Sequence, residues 1–293
     1  MSVLVVGPRS MLAQELLPCL QQAGFSVVGR GRPGLDLTQK ASIYAVFEEV
    51  RPDICINTAA YTAVDKAESD VAGAFAVNRD GVASLAEACR AVHIPLLHLS
   101  TDYVFPGTAS RPYLEEDPTA PLGVYGRSKW EGEAAVRAMH REHLIVRTAW
   151  LYGHHGTNFV KTMLRLARER QVLQVVQDQY GCPTWTRELA RALTVICQHL
   201  TRAQDAPLWG TYHFCGAGQT TWYDFSRAIF AEVRFSEELS IQRVDPIPTT
   251  AYPTPAQRPA YSVLDCSKIQ RVFGITPRLW RDSLHDCMQE WPQ

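Results

Sequence analysis

Tyr125 and Lys129 stand four residues apart in the segment Tyr125-Gly126-Arg127-Ser128-Lys129. On a helix that spacing puts both side chains on one face. A phenol beside an ammonium is a proton donor with a lowered pKa. At ~5 Å and an effective dielectric of ~20, the two attract by ~3 kcal/mol. That predicts a phenol tuned from ~10 to ~8, a sound acid near neutrality. Upstream, Ser100-Thr101-Asp102-Tyr103-Val104-Phe105 closes an apolar run. Thr101, at the exit of that run, can hydrogen-bond a substrate oxygen and help tune the phenol. Beside a nucleotide-binding turn, these groups would reduce a carbonyl or oxidise an alcohol.

The turn expected after the first strand reads Gly7-Pro8-Arg9-Ser10-Met11-Leu12-Ala13. A pyrophosphate needs a tight turn, close backbone approach and free N–H groups at a helix N-terminus. Only Gly7 remains of the three glycines usual there; Ser10 and Ala13 take the other places. Ser10 can cap the helix and donate its hydroxyl to phosphate. At the end of the second strand, an acid would accept a ribose 2′-hydroxyl. This chain has Gly29-Arg30-Gly31-Arg32 instead. Guanidinium groups suit a 2′-phosphate, so Arg30 and Arg32 predict NADPH over NADH. Asp36-Leu37 and Ala59-Ala60-Tyr61-Thr62 fall where the adenine and the rest of a dinucleotide would lie.

The elements that must position these residues alternate. Val3–Gly7, Phe25–Gly29, Ile54–Asn57, Leu96–Ser100 and Leu144–Thr148 read as strands. Met11–Ala23, Ala41–Val50, Asp70–Val92 and Val124–Arg141 read as helices. This predicts an α/β fold: a Rossmann-type, doubly wound parallel sheet. Gly107–Pro121, with three prolines and an acidic run, reads as a long loop beside the site. After Tyr152 the pattern is mixed, and Pro246–Pro259 reads as extended or irregular. Residues 1–152, rejoined by about 186–215, are expected to bind the dinucleotide. Residues 153–293 are expected to form mainly a smaller α/β substrate domain.

Composition narrows the classes. A chain of 293 residues, 46% hydrophobic and 20% charged, can bury a sizeable core. A net charge of -1 leaves no global field for nucleic acid or an anionic membrane. No stretch approaches bilayer length. The N-terminus enters an apolar run without a signal-peptide pattern, so a cytoplasmic protein is expected. The eight cysteines form no Cys-x-x-Cys pair. They read as reduced, mostly buried thiols, with no structural zinc.

The chain resembles the dTDP-4-dehydrorhamnose reductase family of extended short-chain dehydrogenases/reductases. The resemblance runs nearly end to end. It is carried by Asn57-Thr58-Ala59-Ala60-Tyr61-Thr62-Ala63-Val64-Asp65-Lys66-Ala67-Glu68 and Ser100–Gly107. Further segments are Ala120–Gly126, Arg147–Gly153, Asn158–Arg165, Asp178–Thr184 and Arg258-Pro259. It implies reduction of the C4 ketone of dTDP-4-dehydro-β-L-rhamnose to dTDP-β-L-rhamnose. Tyr125 would be the proton donor, Lys129 its partner and Thr101 the residue that tunes it. Thr101, Asp102 and Trp150 would touch the nucleotide sugar. Gly7, Ser10, Met11, Leu12, Arg30, Asp36, Leu37, Ala60, Tyr61, Thr62, Leu99, Tyr125 and Lys129 would bind the dinucleotide. The resemblance also implies a Mg²⁺ ion at a homodimer contact, with Glu15, Glu188 and Glu290 in similar places.

Two alternatives stay open: a reductase of another nucleotide-linked 4-keto-6-deoxy sugar, and a non-catalytic dinucleotide-binding subunit similar to the methionine adenosyltransferase β subunit. Intact Thr101, Tyr125 and Lys129 favour the reductase. Arg258, fixed by flanking prolines, is expected to reach a substrate diphosphate. His154 and His155 read as solvent-facing, and His140 and His143 as helix-end imidazoliums. Trp209, Trp222, Trp280 and Trp291 read as packing.

Overall fold

The computed structural model describes residues 1–202, 209–233 and 239–291. Six strands form the central parallel sheet: β1 (Ser2–Val6), β2 (Ser26–Arg30), β3 (Ile54–Asn57), β4 (Leu96–Thr101), β5 (His143–Thr148) and β6 (Gly210–His213). Their order is β6-β5-β4-β3-β1-β2. Val3, Leu4, Val5 and Val6 are all buried, so β1 is covered on both faces. That is why its sequence reads as an unbroken apolar run rather than an alternation.

One layer packs Val3, Val5, Ile54 and Ile56 against the helices Met11–Gln22 and Thr186–Arg202. The other packs Leu4, Val6 and Cys55 against Lys40–Val50, Val82–Ala91 and Val136. The register aligns the carboxyl ends: Val6 pairs with Arg30 and Asn57, and Thr101 with Thr148. β2 lies on one side of β1 and β3 on the other. The crevice above this reversal is where such sheets bind ligands.

A second core gathers Tyr152, Leu164, Trp185, Phe225, Ile229, Trp280 and Leu284. It is flanked by a parallel pair, Val172–Val176 with Arg243–Ile247. Pro246 lies within that pair; with one neighbouring strand among the described residues, it can be accommodated.

The expected helix Asp70–Val92 is not one α-helix. A π-helical stretch, Ala76–Gly81, separates Val71–Phe75 from Val82–Ala91. Asn78 lies within it, fully buried. Asn78 Oδ1 accepts from the Tyr61 amide at 2.8 Å, and its Nδ2 donates to the Tyr61 carbonyl and to Ser128 Oγ, both at 3.0 Å. The widened turn also presses the Asn78 carbonyl onto Gly132, where a Cβ would lie 2.0 Å from that oxygen.

The Gly107–Pro121 loop is tied down by Tyr113. Its ring stacks on Phe105 with centroids 4.2 Å apart, and its hydroxyl accepts from the Thr108 and Ala109 amides. All eight cysteines are free thiols.

Candidate active site

Gly7 turns the chain with φ +82°, and a Cβ there would meet Ala59 at 2.9 Å. Glycine is therefore required both for its backbone angle and for space. Ser10 caps the helix Met11–Gln22: its Oγ accepts from the Ala13 amide at 3.0 Å and donates to Thr58 Oγ1 at 2.9 Å. Ser10, Met11 and Leu12, at the start of that helix, line a cavity of about 800 Å³.

That cavity gathers most of the predicted residues. Gly7, Ser10, Met11, Leu12, Arg32, Asp36, Leu37, Ala59, Ala60, Thr62 and Leu99 line it, as do Thr101, Asp102, Tyr125, Lys129 and Trp150. It therefore runs from the carboxyl end of β2 to that of β5. The shape and donor set fit a dinucleotide: a glycine cradle, a capped helix N-terminus and an arginine at one end. Two buried oxygens near the other end, Asp102 Oδ2 and Thr148 Oγ1, have no hydrogen-bond partner among the described residues. They fit a polar ligand there.

Some expected residues lie elsewhere. Arg30 turns to Glu49, 2.6 Å away, and does not line the cavity. Arg32 does, together with Arg9, whose Nη2 donates to the Arg32 carbonyl at 3.2 Å. Arg9 was legible as a cation inside the phosphate turn. Tyr61 points away, its hydroxyl donating to Asp70 at 3.0 Å. Arg258 forks onto Asp65 at 3.1 and 2.9 Å and also holds the Ala256 carbonyl. It fastens the proline-rich loop and does not reach the cavity wall.

Each of the three glutamates has an arginine neighbour within the chain, although Glu15 Oε1 and Glu188 Oε1 are buried without a hydrogen-bond partner among the described residues. Arg187 pairs with both Glu15 and Glu290. Glu188 accepts from Ser283 at 2.9 Å and lies 3.5 Å from Arg278. Among the described residues no three His, Cys, Asp or Glu side chains are placed to hold a metal. The residues do not fit the implied Mg²⁺, because Arg187 and Arg278 already lie against these carboxylates and no three of them converge.

The tyrosine–lysine pair also differs from expectation. Lys129 is buried, and its Nζ donates to the Leu99 carbonyl at 2.6 Å. Burial pulls it down to about 8, against the charge of Glu133. Tyr125 is half-buried at the cavity wall. Burial pushes its phenol up to about 12; a hydrogen bond with Thr101 opposes this and the Asp102 charge adds to it. The phenol is not drawn down to ~8 because desolvation dominates and the Lys129 nitrogen is turned to the Leu99 carbonyl. The result is a phenol that keeps its proton at neutrality.

Thr101 Oγ1 donates to Asp102 Oδ1 at 3.1 Å and accepts from the Tyr103 amide at 3.1 Å. Burial pushes Asp102 up to about 6. Trp150 sits at φ +46°, and its ring stacks on Trp222 with centroids 3.4 Å apart and planes 6° off parallel. Gly181 makes room for it: a Cβ there would lie 2.4 Å from the indole. Trp222, expected to be packing only, lines the cavity too. Its signal was its place at the first position of a helix capped by Thr221, which accepts from the Asp224 amide at 3.0 Å.

The histidines depart from expectation as well. His154 is tucked against the Cys287 carbonyl at 2.9 Å. His140 and His143 are buried, and burial pushes both down, so they are neutral rings and not helix-end cations.

Comparison with known proteins gives one family. The family described as RmlD substrate binding domain matches residues 1–292. A dTDP-4-dehydrorhamnose reductase of Sinorhizobium fredii is 43% identical over 97% of this chain and 95% of its own length. One from Streptomyces griseus is 45% identical over 96% of this chain and 91% of its own. The crystal structure of dTDP-4-dehydrorhamnose reductase from Bacillus anthracis in complex with NADP superposes with a TM-score of 0.89. It is 34% identical, and 99% of each chain is covered.

Proposed function

The chain belongs to the dTDP-4-dehydrorhamnose reductase family, and on that premise we propose that it reduces the C4 ketone of dTDP-4-dehydro-L-rhamnose to dTDP-L-rhamnose with NADPH. The observation that carries this is the protonated Tyr125 phenol, lining one cavity with the Gly7–Leu12 turn, Thr101 and Asp102. NADPH, when bound, supplies the hydride. Gly7, Ser10, Met11 and Leu12 would hold the pyrophosphate, and Arg9 and Arg32 the 2′-phosphate. Asp36 and Leu37 would meet the adenosine, and Ala59, Ala60, Thr62, Leu99 and Lys129 the rest of the dinucleotide.

The protein's part in the chemistry is proton delivery. As charge develops on the C4 oxygen, the Tyr125 O–H bond breaks and its proton passes to that oxygen. A phenol near 12 gives its proton to an incipient alkoxide, which is far more basic, and to little else. Thr101, whose hydroxyl proton goes to Asp102, acts on the Tyr125 phenol rather than on that oxygen. Trp150 and Trp222 offer a stacked aromatic wall for the substrate.

Residues 1–152 with about 186–215 are read as the dinucleotide-binding unit and the remainder as the substrate unit. The Mg²⁺ implied by the resemblance is left out of the reading, since Glu15, Glu188 and Glu290 lie against arginines; a homodimer stays part of it. No helix among the described residues is long and apolar enough to cross a membrane. The test mixes purified protein, NADPH and dTDP-4-dehydrorhamnose, follows NADPH absorbance and identifies the sugar formed. Consumption of NADPH with dTDP-L-rhamnose as product is expected. Dinucleotide binding without turnover would point to the regulatory-subunit reading instead.

A further inference from the structure

A buried hydrogen-bonded chain runs from the phosphate side of the sheet to the lysine. Asn57 ends β3 and is buried. Its Oδ1 accepts from the Ala59 amide at 3.0 Å, which fixes the orientation of the amide. Nδ2, a donor, is therefore the atom that faces Nδ1 of His98 at 3.1 Å. A ring nitrogen facing a donor must accept, so His98 carries its proton on Nε2. His98 is fully buried, and burial pushes it well below the ordinary imidazole range, so the ring is neutral. Its Nε2 lies 3.4 Å from Lys129 Nζ.

An N–H, not a lone pair, thus faces the lysine nitrogen. An ammonium has donors only and would set N–H against N–H here. A neutral amine has one lone pair, which can accept from Nε2–H while the amine donates to the Leu99 carbonyl. We propose that His98 is a positioning residue for Lys129: oriented by Asn57, its Nε2–H favours the neutral amine and holds the nitrogen against Leu99. This rests on the reading of Lys129 as the partner of Tyr125.

The other titratable groups around the pair do not replace this effect. Glu133, on the lysine's own helix, favours the ammonium, but its oxygens are taken by Arg147 at 2.8 and 2.7 Å and by Arg137 at 2.7 Å. His143, from β5, acts on His98 and is itself pushed down by burial. Tyr125 keeps its proton, and Asp102 acts on Tyr125. A lysine that can shed and regain its proton near working pH is a better partner for a phenol that must be reprotonated each turnover.

The test is NMR of the ligand-free full chain, with labelled histidine side-chain nitrogens and labelled lysine Cε. His98 is expected as the Nε2–H tautomer, without titration from about pH 6 to 9, while Lys129 titrates well below ~10.4. Asn57→Asp exchanges the donor for an acceptor, forces the Nδ1–H tautomer and turns the Nε2 lone pair to the ammonium. The Lys129 midpoint should then rise by about one unit or more, a tenfold change in its proton equilibrium. His98→Gln adds no charge and should raise the midpoint in the same direction. An Nδ1–H tautomer in the unmodified protein, or an unchanged midpoint in His98→Gln, overturns the proposal. Should a variant fail to fold, the tautomer of the unmodified protein decides alone. Loss of the proposed reductase activity would show separately, as absent turnover with these titrations intact.

Discussion

Arg32 and Arg30 differ by two positions and point to different partners. Sequence shows the pair of cations but not the choice, because Glu49, which captures Arg30, sits on a separate helix. Arg9 joins Arg32 at the cavity. A charge-assisted hydrogen bond contributes about 1.5–3 kcal/mol, or roughly ten- to over a hundredfold in affinity. Arg9→Ala and Arg32→Ala should each weaken NADPH binding by such factors and NADH binding much less; Arg30→Ala should leave both nearly unchanged. Fluorescence titration of the two dinucleotides checks this, and equal losses for all three variants would contradict it. Trp222 was legible as an aromatic but not as a wall of the site, since its partner Trp150 lies 72 positions earlier. An aromatic stack is worth about 0.5–1.5 kcal/mol, so Trp222→Leu should raise KM for the dTDP-sugar a few-fold and spare kcat. Steady-state kinetics with the sugar varied reads it; an unchanged KM would remove Trp222 from the site.

The helix Val124–Met139 delivers Tyr125 and Lys129, and its seat is set by a small residue. Gly132 lets it approach the π-helical turn, with the Asn78 carbonyl 2.0 Å from where a Cβ would stand. Periodicity reads Asp70–Val92 as helical and is right about the material. It cannot show the π-helical turn, whose Asn78 is bonded to Tyr61, 17 positions away. Forcing a methyl into such a contact costs about 1–3 kcal/mol. Gly132→Ala should therefore lower Tm by several degrees, about 2–4 °C for each kcal/mol in a chain of comparable size. It should also slow turnover by shifting the helix. A melt indistinguishable from that of the parent would show that the two segments are not in contact.

At the scale of the molecule, the alternation of apolar runs and helical patterns made the parallel sheet legible, since strands buried on both faces advertise themselves. The second half was harder to read: its core is built from pieces separated by proline-rich loops, and β6 returns to the sheet far from β5 in sequence. His213, on β6, shows how that return fixes acid stability. Its Nδ1 bonds the Tyr113 carbonyl at 3.1 Å; burial first and the Arg147 charge second push it down to about 3. The unfolded chain binds this proton near ~6.5. Below that pH the unfolded state gains a proton that the native state refuses, so stability falls with pH. Between ~6.5 and ~5 this group alone costs about 2 kcal/mol. His213→Gln removes that dependence, so the unfolding free energies of variant and parent should draw together by about that amount from pH ~7 to ~5. Denaturant melts at the two values test it; a difference independent of pH would contradict the buried neutral ring.

The central claim is that Tyr125 gives the proton to the C4 oxygen of the sugar. The most direct measurement is single-turnover reduction of dTDP-4-dehydrorhamnose by the parent and by Tyr125→Phe, with NADPH affinity measured on both. Loss of the general acid should slow reduction by about 10²–10⁴-fold, while NADPH affinity stays close to that of the parent. Full-rate reduction by Tyr125→Phe would contradict the account.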